Sequence, residues 1–457
     1  MITTRTRNDA GKLKIYNARD IENIVQLSSL GAKTQAQMKA VAAVLPFRVN
    51  SYVVNSLIDW SDTPDDPIFQ LTFPQPGMLE QKDLERMVAL IQARSSQSEI
   101  ADAARQIQMK LNPHPAGQME LNVPYMNGTS LNGMQHKYRE TVLFFPSPGQ
   151  TCFAYCTYCF RWPQFVGMDE LKFASKQTEA LVKYLKQHRE VRSVLFTGGD
   201  PLIMKTKLLR QFIEPLLTPE LEHVTSIRIG TKGPAYWPYR FVTDDDASDL
   251  LRLFEAVRKS GRNLALMAHY SHPRFLETAI AREALRQIQD SGATVRCQAP
   301  VVRHVNDNAA AWSSLWSNEV KLGAVPYYMF VARDTGAKRY FEVPLVRCLE
   351  IFNEAYRSVS GLGRTVRGPS MSCTPGKVLV DGISTIAGRK TFVLKFIQGR
   401  NPDWVNQVFF AKYDPEATWI DELEPAWGDK FFFEDEMRRM EVASSSKAAA
   451  EADSAIV

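Results

Sequence analysis

The chain has 457 residues, 45% of them apolar and 23% charged, the composition of a folded globular protein. Its 55 basic and 50 acidic residues leave a net charge of only +5, which argues for neither a nucleic-acid nor an anionic-membrane partner. Residues 1–9 lack the apolar core of a signal peptide, no apolar run is long enough to span a bilayer, and six cysteines are too sparse for a stapled secreted domain, so a cytoplasmic address is expected.

Residues 1–135 read as a polar, mainly helical N-terminal region broken at Pro64, Pro67, Pro74, Pro76, Pro113 and Pro115, with the character of a lid or a homo-oligomer contact. Residues 136–360 alternate short apolar runs with helix-period segments, the pattern of a parallel sheet. The strand-like runs are 142–145, 191–196, 224–230, 264–268, 294–300 and 325–331. Between them, 176–190 and 247–260 carry apolar residues at helical spacing. This predicts an α/β fold, a partial (β/α)6 barrel. Residues 361–443 mix short strands with aromatic turns, Trp404, Trp419 and Trp427 serving as packing anchors. The Ala-, Ser- and Glu-rich stretch 444–457 is expected to be a disordered tail.

The loops after the predicted strands hold most of the unusual residues, as expected where a barrel carries its site at the C-terminal ends of its strands. The first contains Cys152, Cys156 and Cys159 in a CxxxCxxC pattern. The next hold Gly198-Gly199-Asp200-Pro201, Thr231-Lys232-Gly233-Pro234 and His269 through Pro273; Gln298 lies near the end of the fifth strand, and Arg333-Asp334-Thr335-Gly336 follows the sixth. Three closely spaced thiolates can hold a four-iron cluster with one iron left open, and an open position marks a catalytic site. A zinc site would want a fourth Cys or a nearby His, but His136 and His188 lie in other segments.

This motif resembles that of the radical S-adenosylmethionine (SAM) enzymes, in which SAM chelates the open iron and is cleaved to a 5′-deoxyadenosyl radical. The order of further segments between about residues 45 and 385 resembles the lysine 2,3-aminomutase family. These are Tyr52–Asp59 with Asp65-Asp66-Pro67, Tyr138, Leu195–Leu202, Ile227–Arg240, His269–Pro273, Val305-Asn306-Asp307 and Pro326-Tyr327-Tyr328. The resemblance implies migration of an α-amino group to the β-carbon of a free L-amino acid, with a [4Fe-4S] cluster, SAM and pyridoxal 5′-phosphate (PLP) as cofactors. A flavodoxin or ferredoxin would serve as electron donor.

Residue by residue, the resemblance puts the cluster on Cys152, Cys156 and Cys159 and the PLP Schiff base on Lys377, with further PLP contacts at Lys137 and Tyr138. SAM contacts fall on Gly198, Gly199, Asp200 and Gln298, and the substrate α-carboxylate on Arg161. Each has a plainer alternative: a solvated loop lysine, a tight turn capped by an aspartate, an interior amide, a salt-bridged arginine. The chain departs from the family in three places. Lys137 stands where an arginine is usual. The two aspartates that hold a lysine substrate's ammonium fall on Arg333 and Ser370, although a one-residue shift puts Asp334 in the first position. No cysteine follows Cys373 to form a C-terminal zinc site. A glutamate-like substrate suits Arg333, and lysine suits Asp334. Two other functions fit less of the pattern: a radical SAM enzyme without PLP, and a non-catalytic iron–sulfur or zinc protein.

Overall fold

The computed structural model describes residues 11–114, 121–167, 173–176 and 178–454, with side chains as far as residue 444. Three helices, α1 (Gly31–Val44), α2 (Gln81–Gln92) and α3 (Gln97–Lys110), pack together in the N-terminal region around Val41, Leu84, Met87 and Ile107. A capping box starts α3: Ser96 Oγ accepts from the Glu99 N–H, and the Glu99 carboxylate accepts from the Ser96 N–H at 2.9 Å.

The rest is organised by one sheet of 11 strands that lie side by side in chain order. They are β1 (Met134–Tyr138), β2 (Thr141–Phe144), β3 (Ser193–Phe196), β4 (Ser226–Thr231), β5 (Asn263–His269), β6 (Thr294–Val301), β7 (Val325–Val331), β8 (Arg367–Ser372), β9 (Gly376–Ile386), β10 (Arg389–Gly399) and β11 (Val408–Lys412). Strands β2 to β8 are parallel, while β1 and β9 to β11 pair antiparallel. Helices α4 (Thr178–Gln187), α5 (Thr206–Ile213), α6 (Ala247–Lys259), α7 (Ala279–Asp290), α8 (Ala309–Lys321) and α9 (Leu345–Ser358) connect successive parallel strands. The sheet curls far enough for β10 to touch β1.

Local chemistry explains these elements. In β4, Ile227 and Ile229 are buried against the helices while Ser226, Arg228 and Gly230 alternate to the other face. In α6, Leu250, Leu253, Phe254 and Val257 make one buried stripe. One principal apolar core runs from Ile21 to Met437, joining the N-terminal helices, the sheet and the C-terminal segment.

All six strands expected from apolar runs are present, with ends moved by at most two residues. A further parallel strand, β8, was not foreseen, because Arg367-Gly368-Pro369-Ser370 lacks an apolar run. The tail expectation also needs correction: residues 434–454 form helix α10 (Glu434–Ser454), favoured by their alanine, glutamate, methionine and arginine content. Residues 455–457 lie outside the described residues.

Candidate active site

The three cysteines occupy the loop after β2, all with free thiols. The N-terminal region frames this loop. Tyr155 N–H donates to the Arg48 carbonyl at 2.8 Å and Thr157 N–H to that of Leu71 at 2.9 Å. The buried Asn50 amide donates to the carbonyls of Phe153 at 3.1 Å and Tyr236 at 2.9 Å. Burial pushes the Cys152 thiol well above its ordinary value, with Asp200 and the other two thiols adding to the effect, and lifts Cys159 to about 12. Among the described residues no three His, Cys, Asp or Glu side chains converge on a single-ion site. The donor set on this loop is three cysteine thiols, soft ligands of the kind that hold iron–sulfur clusters.

Gly198 and Gly199 follow β3 and pack directly onto the start of the cysteine loop. Gly198 has φ +143°, and a Cβ there would come within 2.1 Å of the Gln150 side chain; at Gly199 it would meet the Thr151 carbonyl at 2.3 Å. Asp200 N–H donates to that carbonyl at 2.6 Å. The Asp200 carboxylate is already engaged: it accepts from Leu202 N–H at 3.0 Å, Lys232 N–H at 2.8 Å and the Thr231 hydroxyl at 2.8 Å. Burial nevertheless raises it to about 6. It thereby ties the loop after β3 to the loop after β4.

Lys232 was not singled out as a site residue, although its position at a strand end was a visible signal. Its buried ammonium donates to Ser271 Oγ at 2.9 Å and to the Tyr236 hydroxyl at 3.4 Å, and that hydroxyl lies 3.2 Å from Cys156 Sγ. At the ends of β5 and β6, Gln298 Nε2 and His269 Nε2 are 2.8 Å apart. Burial pushes His269 down to about 3, so the ring is neutral and accepts from the amide.

Lys377 stands at the start of β9, paired in register with Ser372 at the end of β8. It therefore belongs to the same end of the sheet as the loops described above. Its amine lies 4.1 Å from the Tyr328 ring centroid and 5.4 Å from that of Phe330. Burial, with smaller contributions from Arg367 and Arg228, pushes it down to about 7. Such an amine is available as a nucleophile at neutral pH. Lys137, half-buried, donates to the Cys373 carbonyl, and the half-buried Tyr138 ring lies 5.5 Å from the Lys137 ammonium. The structure thus brings Lys137, Tyr138 and Lys377 around the Cys373 turn.

Arg161 is 8% exposed, with its guanidinium 4.3 Å above Phe145, and its Nε and Nη2 have no hydrogen-bond partner. Burial lowers it to about 10. Arg333 sits between Phe160 at 5.3 Å and Trp419 at 5.7 Å, again with Nε and Nη2 lacking a hydrogen-bond partner. Two buried guanidinium forks with free donors are a site for anions. Asp334 turns toward α3's end, where its carbonyl accepts from Asn112 Nδ2 at 2.7 Å; its carboxylate is 3.8 Å from Arg333 Nε. The loop is fixed to the cysteine segment by the Trp162 indole N–H, which donates to Thr335 Oγ1 at 3.0 Å. Ser370 lies opposite Phe330 in the sheet, fully buried, its hydroxyl without a hydrogen-bond partner.

No family model matches the chain. A protein of Aquifex aeolicus named "Putative L-lysine 2,3-aminomutase" is 29% identical over 412 residues, 90% of this chain and 95% of its own. The L-lysine 2,3-aminomutases of Acetoanaerobium sticklandii and Bacillus subtilis are 27% and 28% identical over 56% and 50% of this chain. The chain spans about half the length of these two, 58% and 45%. Among solved structures, a radical SAM methyltransferase from Sphaerobacter thermophilus aligns at TM-score 0.36 and 14% identity, covering 55% of this chain and 68% of its own. Streptococcus suis SuiB bound to S-adenosylmethionine aligns at 0.33 and 12%, covering 60% and 56%. Both scores are too low to carry an argument.

Proposed function

Because the chain is a divergent member of the lysine 2,3-aminomutase family, we propose that it is a radical SAM, PLP-dependent 2,3-aminomutase of a free L-amino acid, built on a partial barrel. The observation that carries the reading is the meeting, at one end of the parallel strands, of three free thiols, a buried lysine amine lowered to about 7, and two buried guanidinium groups with unused donors.

When bound, the cluster with SAM supplies hydrogen-atom abstraction and PLP supplies a carrier for the migrating amino group. The chain's own residues do the rest. Cys152, Cys156 and Cys159 hold the cluster, and the backbone at Gly198 and Gly199 with Gln298 lies where SAM would bind. Lys377 offers its neutral amine to the PLP aldehyde, with Lys137 and Tyr138 beside it. Arg161 takes the α-carboxylate of the substrate in a two-pronged grip. The single open iron needs an external low-potential electron donor, a flavodoxin or ferredoxin in type.

Arg333 favours an acidic substrate such as glutamate. Its guanidinium lies over Phe160, the residue before Arg161, with Nε and Nη2 free of hydrogen bonds, and the neighbouring Asp334 carboxylate, 3.8 Å away, accepts from Asn112 through one oxygen only. Anaerobic reconstitution with iron, sulfide, PLP, SAM and a reductant, followed by mass spectrometry of β-amino products from glutamate, aspartate, lysine, arginine and alanine offered singly, tests both levels. β-Glutamate without β-lysine supports Arg333 as the side-chain reader. β-Lysine alone assigns that role to Asp334, and SAM cleavage with no β-amino acid from any substrate removes the aminomutase reading.

A further inference from the structure

Lys232 carries a charge that the fold leaves without a carboxylate. The residue is 9% exposed, and its ammonium is enclosed by the rings of Tyr236 at 4.7 Å, Phe275 at 5.5 Å and Tyr158 at 5.8 Å. Its hydrogen bonds go to the neutral hydroxyls of Ser271 and Tyr236. Among the described residues it forms no ion pair with Asp or Glu; Asp200, bonded to the backbone N–H of the same lysine, spends its acceptors on that N–H, Leu202 and Thr231. Its ionisable neighbours are the thiols of Cys156, Cys159 and Cys152, the hydroxyls of Tyr236 and Tyr158, and neutral His269.

A buried cation is expensive unless an opposite charge or hydrogen bonds compensate it. Hydroxyls and ring faces compensate it in part. The remaining compensation comes when the three sulfurs carry negative charge, the state in which they hold a cluster.

We propose that Lys232 is a positioning residue for electron uptake: its fixed ammonium is the built-in counter-charge to the thiolate-held group and stabilises that group's one-electron-reduced, more negative state. This rests on the cluster reading of the preceding subsection. Ser271 is part of the device. Its hydroxyl meets both the Lys232 ammonium and, at 3.0 Å, the Tyr158 hydroxyl, fixing the cation on the cysteine side of the aromatic box.

The test uses the full chain, reconstituted anaerobically with iron and sulfide and titrated with titanium(III) citrate. One electron passes to the cluster as titanium(III) becomes titanium(IV), with electron paramagnetic resonance reporting the reduced fraction. No SAM is present, so a shift cannot come from a lost contact to that molecule. At the wild-type midpoint, Lys232→Met is expected to lower the reduced-to-oxidised ratio about tenfold, a midpoint about 59 mV more negative, while Lys232→Arg keeps the ratio within about twofold. A Lys232→Met protein with full iron and sulfide content and an unchanged midpoint overturns the proposal. Should Lys232→Met fail to fold, Ser271→Ala, which frees the ammonium, is expected to shift the midpoint in the same direction by about two- to threefold in ratio; no shift there overturns it equally. A wild-type chain that takes up no iron sinks the cluster reading instead.

Discussion

The mouth of the sheet has two unlike sides. On the side of β3 and β4, polar groups are consumed by the protein itself: Asp200 accepts from Leu202, Thr231 and Lys232, and Gly199 is pressed on the Thr151 backbone. On the side of β7 to β9, and at Arg161 in the loop after β2, buried polar groups are left over: Arg161, Arg333 and Ser370 each keep atoms without a hydrogen-bond partner. Native proteins leave few such groups, and each unmet buried donor costs on the order of 1–3 kcal/mol. The first set of groups is held by the protein itself, whereas the second keeps donors that a ligand could take.

The contrast can be broken by substitution. The largest effect is expected at the cysteines: Cys159→Ser should abolish iron–sulfur absorbance and every trace of SAM cleavage, measured after anaerobic reconstitution. Next comes Lys377→Ala, which should eliminate the imine absorbance formed with PLP and its trapping by borohydride. In the wild type that trapping should rise as the pH passes about 7, where the buried amine loses its proton. The folded value lies below the unfolded one of about 10.4, so the unfolded chain binds more protons between them and stability rises with pH across that interval. Lys377→Met should flatten this rise in denaturant titrations of the apoprotein.

Arg161→Met should raise the KM for the amino-acid substrate about 10- to 100-fold, the loss of a charge-assisted hydrogen-bond pair worth roughly 1.5–3 kcal/mol. An unchanged KM would place Arg161 outside the ligand side. The smallest catalytic effect is expected on the scaffold: Asp200→Asn should cost about 1–3 kcal/mol of stability by denaturant unfolding while leaving that KM alone. If it instead weakened SAM binding with stability intact, the division drawn above would be wrong at its clearest residue.

Much of this was legible beforehand for a physical reason. The parallel strands β2 to β7 announce themselves by their buried apolar residues, alternating in β3 and β4 and near-continuous in β5. The cysteine triplet and Lys377 are short-range patterns. What stayed hidden depends on distance in the chain. That Thr231, 31 residues on, donates to the Asp200 carboxylate is visible only in the fold. Strand β8, with Gly368 and Pro369 at its centre, has no apolar signature at all. The loop 333–336 could not be assigned an orientation until Asn112 and Trp162 were seen to hold it.

Asn50 has a consequence for how the protein is made. Its amide joins backbone carbonyls 103 and 186 residues downstream, at Phe153 and Tyr236. At synthesis rates of about 5–20 residues per second, the ribosome needs roughly ten to forty seconds after Asn50 before Tyr236 exists to meet it. Throughout that interval the link from the N-terminal region through the cysteine loop to the loop after β4 cannot close, so the surround of the three thiols is completed only in the second half of synthesis.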